Sequence, residues 1–272
     1  MRYPAVSGRF YPSDERMLKK EIEDCFKDPI GPGLPGECRN TDRLVSAIAP
    51  HAGYRASGMN AAHVYKAIAE DGLPEVYVVI GPDHHGIPYD AALCGEPYVT
   101  PFGACSVHED VVRRMRSLIP DDPHAHRYEH SVEVQIPFIQ FIDKNARIVP
   151  IIMSDQSMEC AEYISDAIKE ACEGYRYVVI ASSDMSHYVP KGKASEEGRK
   201  VIERICAMDV QGMYDVISEN GITSCGYGPM AVAMMSGGSC AKELRYSDSY
   251  DSLGRDKNEV VGYLSVAFLK RQ

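Results

Sequence analysis

Short β-branched apolar runs alternate along this chain with segments in which apolar residues recur every three or four positions. The apolar runs predict strands near the middle of a sheet at 43–50, 75–80, 146–153 and 175–181. Strands that alternate with helices without a break are typical of α/β proteins with helices on both faces of the sheet. The pattern therefore predicts one α/β/α domain over residues 1–272, with a central mixed sheet.

The helical segments and two further strands complete this outline. Ser13 and Asp14 supply N-cap chemistry for a first helix, in which Leu18, Ile22 and Phe26 recur at helical spacing. The remaining predictions are helices at 61–72, 106–118, 131–144, 157–173, 194–208, 210–219 and up to residue 235, strands at 243–250 and 259–270, and an exposed loop rich in Pro and Gly at 28–42.

Polar side chains follow three of the predicted central strands at the point where each strand ends. His51 follows the first strand, His84 and His85 follow the second, and the loop after 175–181 carries Asp184 and His187. Ligands of open α/β sheets bind where loops and helix N-termini converge, at the carboxyl ends of the strands. Two histidines with a carboxylate or a thiolate form a minimal metal set. The sequence therefore predicts a metal or ligand site at this edge.

Each of these residues also has a purely structural interpretation. His51 is equally consistent with a loop histidine at a strand end, and Asp184 with a cap of the next helical turn. The tandem His84 and His85 direct two imidazoles differently, so that one can ligate while the other hydrogen-bonds. Periodicity by itself does not show that the three loops meet in space.

Cys225 is the candidate thiolate. It lies in the Gly-rich segment TSCGYGP, just before a helix predicted to begin near Pro229. A helix N-terminus lowers the pKa of a thiol, and the thiolate is the form that binds a metal or attacks an electrophile. The alternative is a buried, inert cysteine.

The segment 121–133 holds the densest group of histidines. Its Asp-Asp-Pro sequence predicts a solvated loop, with His124 and His126 on the surface. His130 and Glu133 open a helix and are candidates to face a pocket. Tyr54 and Phe10, elsewhere in the chain, either line that pocket or pack in the core.

Charge and cysteine usage narrow the setting. The net charge is −10 with no long basic run, which argues against nucleic acid or an anionic membrane as the main partner. The nine cysteines include no CxxC pair, no cleavable hydrophobic leader precedes residue 10, and no apolar run approaches a membrane span of about 20 residues. A reduced, cytoplasmic setting is predicted. A P-loop, a GxSxG elbow, a dinucleotide-binding GxGxxG and an HExxH helix are absent, which removes common competing enzymes.

Six ordered motifs carry a specific resemblance. They are APHAGY (49–54), GPDHH (81–85), TPFG (100–103), EHSVEVQIPF (129–138), SSDMSH (182–187) and CGYGP (225–229). Together with SGRFYP near the amino terminus, where Phe10 occupies an aromatic position, they resemble the Memo family over essentially the whole chain.

This resemblance implies a fold similar to class III extradiol (LigB-like) dioxygenases and a metal pocket. His51, His84 and Cys225 match the iron-binding positions, and Asp184 and His187 match pocket residues beside the metal. His187 stands where the dioxygenases keep an acid–base histidine, and the further matching pocket residues are His85, His130 and Glu133. Prokaryotic members are named component B of an AmmeMemoRadiSam system, which implies other components of that system as partners.

One departure separates the chain from the dioxygenases. They bind iron through two histidines and a carboxylate, whereas the third matching position here is Cys225. A thiolate makes ferrous iron easier to oxidise and is itself oxidisable, so ring cleavage does not follow from the resemblance. The expectation is a mononuclear centre with redox activity on a small molecule, holding Fe(II), with Cu or Zn as other metals.

Two other functions stay open at this point. One is a non-catalytic adaptor that binds a peptide or phosphopeptide in the same pocket, and the other is a zinc-dependent hydrolase with Asp184 or Glu133 as its base. Substrate, catalytic competence and oligomeric state are not predicted by the sequence.

Overall fold

A single ten-stranded sheet organises the protein, for which a computed structural model describes residues 1–271. Gln272, the last residue of the predicted domain, lies outside the described residues. The strands are β1 (Leu44–Ala49), β2 (Val76–Pro82), β3 (Ala91–Leu93), β4 (Tyr98–Thr100), β5 (Gly103–Val107), β6 (Arg147–Met153), β7 (Tyr177–Ser182), β8 (Asp184–Val189), β9 (Cys240–Asp248) and β10 (Val260–Leu269).

The four strands predicted for the middle of the sheet lie side by side. The order is β4-β5-β6-β2-β7-β1-β10-β8, with β3 added to β6 and β9 added to β10. β6, β2, β7 and β1 are parallel to one another, whereas β10 is antiparallel to β1, β8 and β9. Every residue of β1 and β2 is buried, as expected of parallel strands covered on both faces. The predicted central mixed sheet is confirmed.

Helices flank the sheet. They are α1 (Glu15–Lys27), α2 (Met59–Asp71), α3 (Glu109–Met115), α4 (Ile136–Ile142), α5 (Met158–Ala171), α6 (Lys191–Cys206), α7 (Val210–Asn220), α8 (Tyr227–Met235) and α9 (Ser249–Leu253). α2 packs on β1 and β10 with α1 and α4 beside it, and α8 packs on β1, β2 and β7 with α5 beside it. A π-helical turn at Tyr54–Gly58 leads into α2, and a 3₁₀ turn at Glu133–Gln135 leads into α4.

The first helix follows its sequence pattern closely. The Asp14 side chain accepts a hydrogen bond from the backbone N–H of Met17 and so caps α1. Leu18, Ile22 and Phe26 are fully buried on one face of the helix. Residues 28–43 then contain no helix or strand, as the density of Pro and Gly predicted.

In two regions strand pairing makes the structure differ from the predicted elements. Val107 belongs to β5, whose end pairs with β6, and the helix of this region begins only at Glu109 because His108 caps it. The segment after β7 was predicted as a loop, but residues 184–189 form β8, which pairs with β10. In both places pairing with a strand distant in sequence overrides the local pattern.

Candidate metal centre

Adjacent strand ends bring the predicted ligands to one edge of the sheet. β7 lies between β1 and β2 and is parallel to both, so the three carboxyl ends are neighbours. His51 follows β1, His84 follows β2, and Asp184 comes two residues after the end of β7. Oδ1 of Asp184 accepts a hydrogen bond from the backbone N–H of His51 at 2.8 Å, which joins two of these ends directly.

Two imidazoles and one thiol converge here. Sγ of Cys225 lies 3.2 Å from Nε2 of His51, and the ring centres of His51 and His84 are 5.4 Å apart at nearly a right angle. One donor atom from each of His51, His84 and Cys225 lies within 4.8 Å of the other two. Atoms more than about 5 Å apart could not both bind one ion through bonds of roughly 2.1 Å, and these three donor atoms are closer than that.

The hydrogen bonds of Ser182 decide which nitrogen of His51 is free. Nδ1 of His51 lies 3.0 Å from the Ser182 hydroxyl, which donates its one hydrogen to the carbonyl of Ser131 at 2.6 Å. Because that hydrogen is used, the hydroxyl accepts from His51 and from the Gln135 amide, so Nδ1 carries the proton. Burial, with the charges of neighbouring histidines, lowers the pKa of His51 well below its ordinary value. The neutral ring therefore presents the Nε2 lone pair to Cys225.

Glu129 has the corresponding role for His84. Its buried carboxylate accepts a hydrogen bond from Nδ1 of His84 at 3.0 Å and another from the His84 backbone N–H at 2.7 Å. Burial opposes ionisation of Glu129, but its bonds to His84 and to the backbone N–H of Ser131 outweigh that effect and hold its pKa well below the usual range. A carboxylate only accepts hydrogen bonds, so Nδ1 of His84 carries a proton and Nε2 remains as the nitrogen that can bind a metal.

Cys225 is held against Asp184 by the backbone. The Asp184 N–H donates to Sγ of Cys225 at 3.2 Å, and the Cys225 N–H donates to the Asp184 carbonyl at 3.3 Å. A Cβ added to Gly226 would lie 2.6 Å from the carbonyl oxygen of Ser182, so glycine is required by this close approach.

The predicted lowering of the Cys225 pKa is wrong for its protein surroundings. Burial raises the pKa of the thiol, and the nearby Asp184 carboxylate raises it further. Burial also raises the pKa of Asp184 to about 6, although hydrogen bonds and the His187 ring act in the opposite direction. Cys225 stands just before Gly226, the N-cap of α8. The lowering of the thiol pKa expected from a helix N-terminus is smaller than the two effects that raise it. A cation placed beside both groups would reverse them.

His187 reaches the site from a bulge in β8. Val189 pairs with Val260 and His187 pairs with Val261, so Tyr188 is an extra residue, and its φ of 55° is unusual for a bulky side chain. Nδ1 of His187 donates to the carbonyl of Thr223 at 2.8 Å, which leaves Nε2 as the acceptor nitrogen. Asp184 lies in β8, so the alternative in which it caps a helical turn is wrong.

Comparison with known proteins gives the chain its family. A family model described as Memo-like protein matches residues 2–267. The chain belongs to the Memo family. A MEMO1 family protein of Sulfurisphaera tokodaii is 40% identical, with 98% of this chain and 99% of that protein covered. Those of Methanopyrus kandleri and Methanothermobacter thermautotrophicus are 39% and 40% identical over 98% of this chain, covering 98% and 100% of their own lengths.

The remaining predicted pocket residues of this Memo family chain separate into two groups. His130 lies at the site, with its ring centre 4.6 Å from that of His84, and the Phe10 ring packs against it edge to face with the two ring centres 5.0 Å apart. His85 is exposed and directs its ring toward Tyr128, at 6.5 Å. Tyr54 is buried, donates its hydroxyl to the Val134 carbonyl and packs its ring against Phe138 in the core.

Glu133 is engaged elsewhere. Its fully buried carboxylate pairs with Arg2 and accepts hydrogen bonds from the Tyr11 hydroxyl and from the N–H groups of Ala5 and Val6. These contacts fix the amino-terminal segment that carries Phe10. Of the two bases proposed for a hydrolase, only Asp184 therefore lies beside the candidate donors.

Sequence reasoning missed residues that orient the donors. Glu129 and Ser182 both occur within the recognised motifs, but nothing in their spacing marks them as partners of His84 and His51. The predicted surface position of His126 is wrong. The side chain is fully buried between the Tyr98 hydroxyl, at 2.7 Å, and the Ala92 carbonyl, at 2.9 Å. His124 is exposed as predicted.

Over residues 1–271, no helix combines the length and the apolar character needed to cross a bilayer.

Proposed function

We propose that this protein binds one transition-metal ion through His51, His84 and Cys225 and performs redox chemistry on a small molecule there. The observation that carries the proposal is the convergence of two imidazole nitrogens and one sulfur within 4.8 Å of one another. This donor set suits iron, copper or zinc. Iron(II) is the proposed ion because the matching positions of the related dioxygenases bind iron.

The surrounding protein groups suit the proposed chemistry. A bound ion supplies electron transfer and the positive charge that a Cys225 thiolate needs beside Asp184. Asp184, with its pKa raised to about 6, holds or releases a proton at its carboxylate near neutral pH. His187, fixed through Nδ1 by Thr223, is the proposed proton carrier through Nε2.

Metal content tests the first half of the proposal. The full chain is purified anaerobically without chelator, its metals are quantified, and cobalt(II) is then introduced. We expect one ion per chain and a thiolate-to-cobalt charge-transfer band in the near ultraviolet. Cys225→Ser removes the band, and the double variant Cys225→Ser/His84→Ala lacks stoichiometric metal. As matched controls, His85→Ala and Cys206→Ser alter exposed residues of the same chemistry and leave both readouts unchanged.

Absence of stoichiometric metal in the unaltered chain, or full retention in the double variant, contradicts metal binding. Oxygen consumption against a panel of catechols and reductants then tests the redox step, with iron, copper and zinc loaded separately. Turnover of ester substrates with zinc alone would instead favour a hydrolase with Asp184 as its base.

A second candidate function is a non-catalytic binding protein for an anionic peptide. It is favoured by a cavity of about 540 Å³ that is lined by Phe10, Arg9, Arg55 and Arg255. Phe10 also packs against His130, so this cavity adjoins the metal centre. Guanidinium groups pair bidentately with phosphate and carboxylate. Phosphopeptide binding that survives metal removal and is lost in Arg55→Gln would favour this function, whereas binding that requires the metal would favour the enzyme.

A further inference from the structure

Glu129 is the most heavily engaged carboxylate at the metal centre. It is buried, and three N–H groups converge on it from two segments of the chain. Oε2 accepts from the backbone of His84 at 2.7 Å. Oε1 accepts from the backbone of Ser131 at 2.7 Å and lies 3.0 Å from Nδ1 of His84. The carboxylate thus accepts hydrogen bonds from both the backbone and the ring of His84.

We infer that Glu129 is a positioning residue that fixes the tautomer and orientation of His84, so that Nε2 is the nitrogen presented to the metal. The inference rests on the proposed metal-binding function for its consequence, but the tautomer itself is a property of the protein alone. A carboxylate behind a ligating histidine also makes the imidazole a stronger donor, and removal of such a partner typically lowers metal affinity about 10–100-fold.

The segment that carries Glu129 is itself locked in place. The Ser131 hydroxyl donates to the Pro82 carbonyl at 2.9 Å, and the Ser131 carbonyl accepts from Ser182 at 2.6 Å. A Cβ on Gly81 would overlap the Ser131 hydroxyl oxygen, so the two segments touch without room for a side chain. Glu129 is therefore held between the ends of β2 and β7 and cannot turn away from His84.

His85 provides the contrast within the same loop. Its backbone N–H donates to Asp83, and its ring, exposed like that of His84, is directed toward Tyr128. Of two adjacent histidines, only His84 has a buried carboxylate behind its ring. The choice between them, which the tandem pair leaves open in the sequence, is made by Glu129.

His130 makes a rival role for Glu129 testable. Nδ1 of His130 lies 3.3 Å from the same Oε1, and donor atoms of His84, Glu129 and His130 lie within 4.8 Å of one another. If Glu129 were itself a ligand, this group would hold a second ion. The positioning role predicts one ion per chain, whereas the ligand role predicts two.

The test reads the tautomer directly in the full chain freed of metal. Long-range proton–nitrogen correlation spectra of the ¹⁵N-labelled protein are recorded above the titration of His84. We expect the proton on Nδ1 of His84 in the unaltered chain and a population on Nε2 in Glu129→Ala. Glu129→Gln keeps an acceptor oxygen and is expected to restore the Nδ1–H form while lacking the charge. His126, buried with its own partners, reports whether the fold persists.

Cobalt(II) affinity is measured on the same variants. We expect about a 10–100-fold loss in Glu129→Ala, with stoichiometry unchanged at one ion. A proton on Nε2 of His84 in the unaltered chain, an unchanged tautomer in Glu129→Ala, or loss of one of two bound ions overturns the inference. If Glu129→Ala disturbs His126, Glu129→Gln decides: retention of the Nδ1–H form with one cobalt ion still bound supports positioning, and loss of stoichiometric cobalt despite the Nδ1–H form overturns it. Failure of the unaltered chain to bind metal defeats the proposed function but leaves the tautomer result standing.

Discussion

The hydroxyl of Ser182 lies 3.0 Å from Nδ1 of His51, and this contact determines that Nε2 is the ring nitrogen available to bind a metal. The same hydroxyl also serves the Ser131 carbonyl and the Gln135 amide. One buried side chain therefore orients a candidate metal ligand and joins β7 to the segment that carries Glu129.

Ser182→Ala tests this relationship. The change leaves three buried polar groups without their partner, and each such group costs about 1–3 kcal/mol when it finds no replacement. We expect the free energy of unfolding to fall by at least about 2 kcal/mol in urea denaturation. The exposed Ser13→Ala is the control and should change stability by less than about 0.5 kcal/mol. Equal stabilities of the two variants would show that Ser182 is not the shared partner.

Glu133→Gln tests the attachment of the amino-terminal segment. The fully buried pair of Glu133 with Arg2 loses one charge, and breaking a buried pair on one side costs about 3–5 kcal/mol. We expect that loss in the free energy of unfolding, together with faster proteolysis within residues 2–11. Asp24→Asn breaks the exposed pair with Lys20 and should leave stability nearly unchanged, because water screens that pair. Resistance of the Glu133 variant to both measurements would mean that the carboxylate does not anchor the segment.

His126 makes stability depend on pH on the acid side. Burial lowers its pKa to about 4, whereas an unfolded chain binds that proton near 6.5. The neutral ring therefore contributes its full stability above about pH 6.5, and that contribution is lost as the pH falls toward about 4. For the whole shift the loss is on the order of 3 kcal/mol.

Urea unfolding at a series of pH values measures this effect. In His126→Gln the decline between about pH 6.5 and 4 should be shallower than in the unaltered chain, because one proton no longer binds preferentially to the unfolded state. His124→Gln changes an exposed histidine two residues away and should leave the slope unchanged. Parallel slopes for the His126 variant and the unaltered chain would contradict the assignment.

Local sequence was sufficient for much of the architecture. β-branched runs identified the four central strands because strands buried on both faces need continuous apolar side chains. Helical spacing with an Asp cap identified α1 for a similarly local reason. The pattern was insufficient at β5 and β8, whose pairing partners lie far along the chain.

What the sequence determined about the site is which residues stand at the ends of the central strands, since continuous apolar runs mark those strands locally. His51 and His84 meet because β1, β7 and β2 are neighbours, and only the folded sheet decides that order. Hydrogen bonds with the Asp184 backbone hold Cys225 beside them. Only the tertiary structure pairs Glu129 with His84, which is 45 residues away in sequence, and Arg2 with Glu133, which is 131 residues away. It also places His126 in the core. Hydrogen bonds and burial between distant segments have no periodic signature, so a charged or polar residue in the chain does not reveal whether it will face water, a ligand or another side chain.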